Sequence, residues 1–121
     1  GLESVEDQLA ILNSIDMETQ TSFLIESVKE FEEGRKEIRN MIDLYMREQV
    51  NELYDLISAS EFQVYENAIL TTRNQNWIPR IVEEASAKPT LFAFGSGHLG
   101  GPEGIVTLLR KAGYTLTPME N

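Results

Sequence analysis

The only histidine of the chain, His98, lies in the glycine-rich stretch GSGHLGG. An imidazole can bind a metal ion through a neutral nitrogen, or transfer a proton near neutral pH. The glycines on both sides of it permit unusual backbone angles and let another group come close to the main chain. The stretch therefore predicts a chemical site at His98, and the alternative is a surface turn whose histidine is solvated.

The second candidate is Arg73, which lies in the polar cluster TTRNQN at residues 71–76. An arginine can hold an anionic ligand or a catalytic carboxylate through the planar fork of its guanidinium group. Its alkyl stem can instead cover apolar surface while the charge stays in water. The residue types alone leave both alternatives open.

The residues before this cluster are predicted to be helical. Ser4 with Asp7, and then Asp16, are expected to cap two helices, because short polar side chains accept hydrogen bonds from the free N–H groups of a first turn. Gly34 is expected to end the second helix. Apolar residues then recur at three- and four-residue steps as far as Ile57, which predicts a helical hairpin that continues into a third helix.

The polar cluster is expected to interrupt the next helical stretch. Its short polar side chains favour a break near Thr72 and a new helix that begins at about Gln75. Pro79 would then lie in the first turn of that helix, where proline is tolerated.

The last part of the chain, residues 88–121, is predicted to be a β-α-β unit. TLFAF is an apolar run of strand formers, and YTLTPM is a second strand. The helix between them is expected to have Pro102 at its first position and to stop at Gly113. Strands in this order pair in parallel with a right-handed crossover, and His98 would lie beyond the carboxyl end of the first strand, where such sheets bind ligands.

These elements predict an α/β fold that is α+β in appearance. The chain would be a single partial domain over residues 1–121, mainly helical over residues 1–87 and β-α-β over residues 88–121. A parallel pair of strands is normally covered on both faces, and only two strands are predicted. We therefore expect an incomplete half of a larger domain.

The composition excludes several classes of function. Twenty acidic and ten basic side chains give a net charge of −10, which repels nucleic acids and anionic bilayers. No run approaches the ~20 apolar residues of a membrane-spanning helix, so we expect no membrane insertion by this segment. The chain has no cysteine, which excludes thiolate metal sites and thiol nucleophiles.

Three segments resemble the TraB/GumN family, which is related to the Tiki peptidases. LFAFGSGHLGGPEGIVTLLRKAGYTLTPM is similar to its strand, G-x-x-H turn and helix ending in Gly-Tyr before a last strand. GLESVEDQ resembles its Gly-Leu-Glu segment with a downstream glutamine, and LTTRNQNWIPRI resembles its Arg-Asn segment followed by an apolar helix. These segments occur in the family's order and span nearly the whole chain.

The resemblance implies a metal-dependent hydrolase, acting on peptide bonds, with half of its site on this chain. His98 would be a ligand of a divalent metal ion, and Glu3 would be a ligand or the general base. Arg73 and Asn74 would orient the acid or stabilise an oxyanion. The substrate would be a peptide or small molecule, and the resemblance alone favours the bacterial periplasm or cell envelope.

One feature of the family pattern has no counterpart here, because the chain holds no second histidine for the first G-x-x-H. We therefore expect the partner to be the missing N-terminal half of the same protein or a second copy of this chain. TLFAF or the helical hairpin would form the contact of a homo-oligomer. We also expect His98 to support no core, so that His98→Ala leaves folding almost unchanged.

Two alternatives to a hydrolase follow from the same residues. A haem- or small-ligand-binding module would use His98 as an axial ligand and would need one apolar cleft. A non-catalytic helical interaction domain would need no chemistry at all.

Overall fold

A computed structural model describes residues 1–59 and 66–119, apart from the side chain of Leu12, and within those ranges every regular element is a helix. The α-helices are α1 (Val5–Asn13), α2 (Met17–Lys29), α3 (Phe31–Met46), α4 (Val50–Ser58), α5 (Thr72–Ala87) and α6 (Ile105–Lys111). A π-helical turn, Asn67–Thr71, leads directly into α5, and a 3₁₀ turn, Ser96–His98, carries the histidine.

The two predicted helix caps are confirmed. Asp7 N donates to Ser4 Oγ at 3.1 Å, while Ser4 N donates to Asp7 Oδ2 at 3.2 Å, so the two residues form a reciprocal box before α1. Asp16 Oδ1 accepts from Thr19 N at 2.8 Å at the start of α2. The entry into both helices is therefore determined by residues adjacent in sequence.

The predicted bounds of the helical hairpin are wrong. Only Glu30 separates α2 from α3, and Gly34 lies inside α3, where its N–H continues the helix by donating to Glu30 O at 2.9 Å. The chain reverses later, between α3 and α4, which pack against each other. The connection contains Glu48 at a φ of 59°, a backbone conformation that stops a helix.

The predicted β-α-β unit, and with it the α/β fold, is contradicted. Residues 90–94 and 114–119 take up no helix, but neither segment forms a strand ladder within residues 1–59 and 66–119. Strand-forming side chains favour an extended backbone, whereas a sheet also requires a neighbouring strand for its hydrogen bonds. The described residues supply none, so the fold that they form is all-α.

The ends of α6 confirm one prediction and correct another. The helix begins at Ile105, so Pro102 lies in the turn before it rather than at its first position. It stops as predicted at Gly113, whose φ is 92°. Tyr114 N donates to Leu109 O at 3.0 Å, the wrapped ending that a glycine in this conformation allows.

The predicted break in the polar cluster is also corrected. The chain is helical through the cluster, because the π-helical turn passes into α5 at Thr72. Pro79 therefore lies well inside α5 and not in its first turn. Phe62 and Tyr65, which precede the π-helical turn in the sequence, lie outside the described residues.

The core lies on one side of α5. Trp77 and Ile81 of α5 pack with Ile105 of α6, and partly buried apolar residues surround them: Leu2, Ile78, Phe92, Phe94, Leu99 and Leu109. Helices α2 and α3, in contrast, contain no buried residue. Within the described part of the chain, no helix is both long and apolar enough to cross a bilayer.

Candidate functional site

Helix α5 presents two polar residues, Arg73 and Asn74, beside the core. Arg73 precedes Trp77 by one helical turn, and its guanidinium carbon lies 4.9 Å from the centre of the indole ring. Arg73 Nη1 also donates to Ile69 O at 3.0 Å, in the π-helical turn. Such turns often occur at functional sites, because they expose carbonyl groups that an α-helix would use internally.

Glu3 and Arg73 form a two-point ion pair across 70 residues of sequence. Arg73 Nε donates to Glu3 Oε2 at 3.0 Å, and Arg73 Nη2 contacts Glu3 Oε1. The pair is mostly buried, with 13% of the Glu3 side chain and 20% of the Arg73 side chain exposed. Two neutral groups also donate hydrogen bonds to the carboxylate of Glu3: Gln8 Nε2 at 2.8 Å and Trp77 Nε1 at 3.2 Å.

His98 lies at the other end of this network and is only 9% exposed, so the solvated-turn alternative is wrong. His98 Nδ1 lies 2.7 Å from Asn74 Oδ1, and His98 Nε2 lies 3.4 Å from Arg73 Nη1. Its ring packs against Trp77, with 4.7 Å between the ring centres. Because the imidazole is buried and bonded, our expectation that it supports no core is also wrong.

The hydrogen bonds of Asn74 determine which nitrogen of His98 carries the proton. Asn74 Nδ2 donates to Glu103 O at 2.9 Å, which directs the amide oxygen toward the imidazole. Since that oxygen can only accept, His98 Nδ1 must donate to it. The Nε2 atom of the neutral ring then carries a lone pair that faces Arg73 Nη1, 3.4 Å away.

The charges of the site favour this neutral form. Burial, and secondly the guanidinium of Arg73, lower the pKa of His98 to about 4. The pKa of Glu3 is lowered chiefly by the hydrogen bond from Arg73. At neutral pH the site therefore contains a carboxylate, a guanidinium and an uncharged imidazole.

The glycines of the turn are explained by α4, which packs directly against it. A Cβ atom on Gly100 would overlap the carbonyl group of Val50, and Gly101 lies against the ring of Tyr54 at a φ of 83°. Gly101 N donates to Asn51 Oδ1 at 3.1 Å. The glycines thus allow a helix to hold the backbone that carries His98.

The structure brings all four candidate residues, Glu3, Arg73, Asn74 and His98, into one hydrogen-bonded network. Sequence reasoning missed Trp77, which touches the ion pair and the imidazole at once. Its position four residues after Arg73 was the available signal, because residues at this spacing lie on one face of a helix.

The comparison with protein families decides the identity of the chain, because the model of the TraB/PrgY/gumN family matches residues 1–118. The chain belongs to the TraB/PrgY/gumN family. No curated protein and no solved structure matches it. The resemblance inferred from the three segments is therefore confirmed at the level of the family.

The arrangement found in this TraB/PrgY/gumN chain fits a metal ion only in part. His98 has the features of a ligand, since its ring is neutral and its Nδ1–H is held by an amide oxygen. Glu3 does not, because both of its oxygens are already bonded to Arg73, Gln8 and Trp77. Within the described ranges no three His, Asp or Glu side chains converge on one point.

Proposed function

We propose that this chain contributes half of the site of a metal-dependent hydrolase that acts on peptide bonds. The observation that carries the proposal is the neutral, buried His98, whose Nε2 lone pair is oriented by Asn74 and lies beside a cationic side chain. A neutral imidazole held in one tautomer is the form in which histidine binds a divalent ion.

Each residue of the network has a distinct part in this proposal. Asn74 is a positioning residue, because it holds the imidazole through Nδ1 and leaves Nε2 for the ion. Glu3 is also a positioning residue here, because its carboxylate aligns the guanidinium of Arg73 at two points. Arg73 is the group suited to stabilise an oxyanion, since its planar guanidinium carries a positive charge and several N–H donors.

The ion would be held by His98 and by ligands from outside this chain, since catalytic sites commonly use three protein ligands. When bound, it would polarise a carbonyl group and lower the pKa of a water molecule. Arg73 Nη1 lies 3.4 Å from His98 Nε2, so the guanidinium must move aside when the ion binds. The same crowding by Arg73 and Trp77 disfavours an axial haem ligand at His98.

Two substitutions of the histidine separate its chemistry from its packing. In His98→Asn the amide nitrogen replaces Nδ1 and can still donate to Asn74, but no atom replaces Nε2. In His98→Gln the amide nitrogen lies farther out, near the position of Nε2. We expect His98→Asn to keep most of the stability of the fold and to lose metal binding.

The test is a Zn²⁺ and Mn²⁺ titration of ¹⁵N-labelled protein, which is unambiguous because the chain has one histidine. We expect the chain alone to bind both metals weakly. Zn²⁺ should shift the Nε2 resonance of His98, and Mn²⁺ should broaden that resonance before the others. In a form extended upstream of Gly1, we expect tight binding and cleavage of a quenched fluorescent peptide, both lost in His98→Asn. Glu37→Gln, which removes an exposed carboxylate of α3, is the matched control.

The contrary result is equally definite. Two results together would mean that His98 is a structural residue and that the proposed site does not exist. The His98 resonances would not change with either metal, and His98→Asn in the extended form would retain its metal content and its turnover.

A further inference from the structure

The loop of residues 99–104 connects the 3₁₀ turn that carries His98 to α6, and Glu103 is its one charged residue. The main chain and the side chain of Glu103 bond to successive residues of α5. Glu103 O accepts from Asn74 Nδ2 at 2.9 Å, and Glu103 Oε2 accepts from Gln75 Nε2 at 3.0 Å. One residue of the loop is therefore held at two points on the helix that carries the site.

A further contact joins the same loop to α6. Lys111 Nζ, at the end of α6, donates to Glu103 Oε1 at 3.2 Å and to Pro102 O at 3.1 Å. The two oxygens of the Glu103 carboxylate thus accept from different helices, one from α5 and the other from α6. Because Gln75 and Lys111 are exposed, substitutions at these positions change the contacts of the loop without opening the core.

The main-chain bond of Glu103 matters for the site because the amide of Asn74 is buried. Asn74 is only 2% exposed, so its amide group must find its partners among neighbouring protein groups. Its nitrogen faces two carbonyl oxygens, Glu103 O at 2.9 Å and His98 O at 3.4 Å, while its oxygen lies 2.7 Å from His98 Nδ1. Since a carbonyl can only accept, turning the amide over would place oxygen against oxygen. The position of Glu103 O therefore keeps the amide in one orientation.

We propose that Glu103 is a positioning residue, which fixes the proton of His98 on Nδ1 by holding the loop of residues 99–104 against α5. The contacts run from the carboxylate of Glu103 to its own carbonyl group, from that group to the amide of Asn74, and from the amide to the imidazole. The inference rests on the proposed function only for its purpose, because a metal ion requires the Nε2 lone pair that this tautomer provides.

An exchange of the amide and carboxylate groups between positions 75 and 103 tests this role. Gln75→Glu removes the N–H donor and places a second carboxylate against that of Glu103, so the loop should be pushed away from α5. Adding Glu103→Gln to the same chain restores the pair with the opposite polarity. The amide nitrogen at position 103 then donates to the carboxylate at position 75, and its oxygen still accepts from Lys111. Glutamate and glutamine have nearly the same shape, so the packing is preserved.

Two NMR measurements on His98, the only histidine of the chain, give the result. The ¹⁵N shifts of the ring nitrogens at neutral pH report the ratio of the two tautomers. Exchange of the Nδ1 proton with water reports how often its bond to Asn74 opens. We expect Gln75→Glu to move the ratio toward the Nε2–H form and to accelerate the exchange, each about two- to fivefold, the range of a partly exposed contact. Lys111→Met should act in the same direction by a smaller factor, and the double variant at 75 and 103 should return to the original values.

The matched control is Asn76→Glu. It adds the same charge at the next exposed position of α5, which is rotated by about 100° around the helix from Gln75. It should leave the tautomer ratio and the exchange of the Nδ1 proton unchanged. Urea unfolding of every variant measures the free energy of unfolding, because a merely structural role of Glu103 would change that free energy without moving the tautomer ratio. Near-UV circular dichroism of Trp77 checks that the variants remain folded.

Three results overturn the proposal. Gln75→Glu can leave both the tautomer ratio and the proton exchange of His98 unchanged, or Asn76→Glu can change them as strongly. A double variant that keeps the values of Gln75→Glu would show that the effect does not depend on the contact between positions 75 and 103.

A Zn²⁺ titration of the same samples separates this test from that of the proposed function. If His98 responds to Gln75→Glu as expected but none of its resonances shifts with Zn²⁺, the positioning role stands and the metal-dependent function fails. If Zn²⁺ binds at His98 but the tautomer ratio and the proton exchange ignore Gln75→Glu, the function stands and Glu103 does not position the imidazole.

Discussion

The protonation of His98 is determined by its two neighbours in the network. Asn74 accepts from Nδ1, and Arg73 faces Nε2 with a positive charge, so an added proton would lie beside a guanidinium group. For comparison, a histidine in a solvated glycine turn would titrate near 6.5. A pKa of about 4 for His98 therefore distinguishes a buried, hydrogen-bonded histidine from a histidine in a solvated turn.

We therefore predict a titration midpoint of about 4 for His98, with a proton on Nδ1 in the neutral form. The unfolded chain binds this proton near pH 6.5 and the folded chain only near pH 4, so stability should fall as the pH decreases between these values. The His98→Asn variant should lack that part of the pH dependence. Heteronuclear NMR from about pH 3 to about pH 7 measures the midpoint, and urea unfolding at about pH 4.5–6.5 measures the change in stability. A midpoint near 6.5 would contradict the network.

The ion pair between Glu3 and Arg73 gives a second prediction at this scale. Glu3→Gln leaves the guanidinium without its carboxylate in a mostly buried position, which should cost about 2 kcal/mol, less than the ~3–5 kcal/mol of a fully buried pair. Arg73→Lys should cost a similar amount, because lysine cannot bond at two points and cannot also reach Ile69 O.

A double-mutant cycle measured by urea unfolding isolates the interaction energy between Glu3 and Arg73 from that of their other contacts. The double variant should lose less than the sum of the two single losses, because each single change already removes the interaction. Glu33→Gln, which removes an exposed partner of Lys36, should have little effect. Strictly additive losses would mean that Glu3 and Arg73 do not interact in solution.

At the scale of the elements, two glycines with different surroundings give opposite predictions. Gly34 lies inside α3 with open space around its Cβ position, so Gly34→Ala should stabilise the protein by about 0.5–1 kcal/mol. Gly100→Ala should destabilise it by about 1–3 kcal/mol or more, because the new methyl group meets the Val50 carbonyl. The thermal midpoints of the two variants should therefore move in opposite directions. A lower midpoint in Gly34→Ala would instead indicate that Gly34 ends a helix, as expected from the sequence.

The element signals that sequence reasoning found correctly are local ones. The box of Ser4 and Asp7, the cap at Asp16 and the stop at Gly113 each depend on bonds between residues that are close in sequence. The β-α-β prediction failed because a strand depends on a distant partner. TLFAF has the side chains of a strand, yet whether a ladder forms is decided by residues elsewhere.

The same distinction applies to the candidate site. His98 was found from its glycine turn, while Glu3 was found only through the family resemblance, because nothing near it in sequence indicates an ion pair with Arg73. The burial of His98 could not be predicted at all. It depends on α4 packing against the turn and on Trp77 covering the ring, and both are long-range contacts.

At the scale of the whole molecule, the buried core and the exposed apolar surface lie in different parts of the chain. The core gathers around α5, close to the site, whereas α2 and α3 expose many large apolar side chains: Met17, Leu24, Ile25, Val28, Phe31, Ile38, Met41, Ile42, Tyr45 and Met46. Isolated helices of their length are marginal in water, and most helical stability in proteins comes from packing. Local stability should therefore differ strongly between the two regions.

We predict that backbone amides of α2 exchange with solvent far faster than those of α5. Opening α2 uncovers no buried side chain, whereas opening α5 breaks the packing of Trp77 and Ile81 together with the bonds of Arg73 and Asn74. Hydrogen exchange followed by mass spectrometry at several protein concentrations measures both helices at once. Exchange from α2 that slows with concentration would show its apolar face being covered in an assembly, and equal protection of α2 and α5 in a monomer would contradict the prediction. Because the site is built on Glu3, on α5 and on the 3₁₀ turn that carries His98, and takes no residue from α2, it should remain intact while α2 opens. The NMR signals of His98 should then stay unchanged under conditions in which the α2 amides exchange freely.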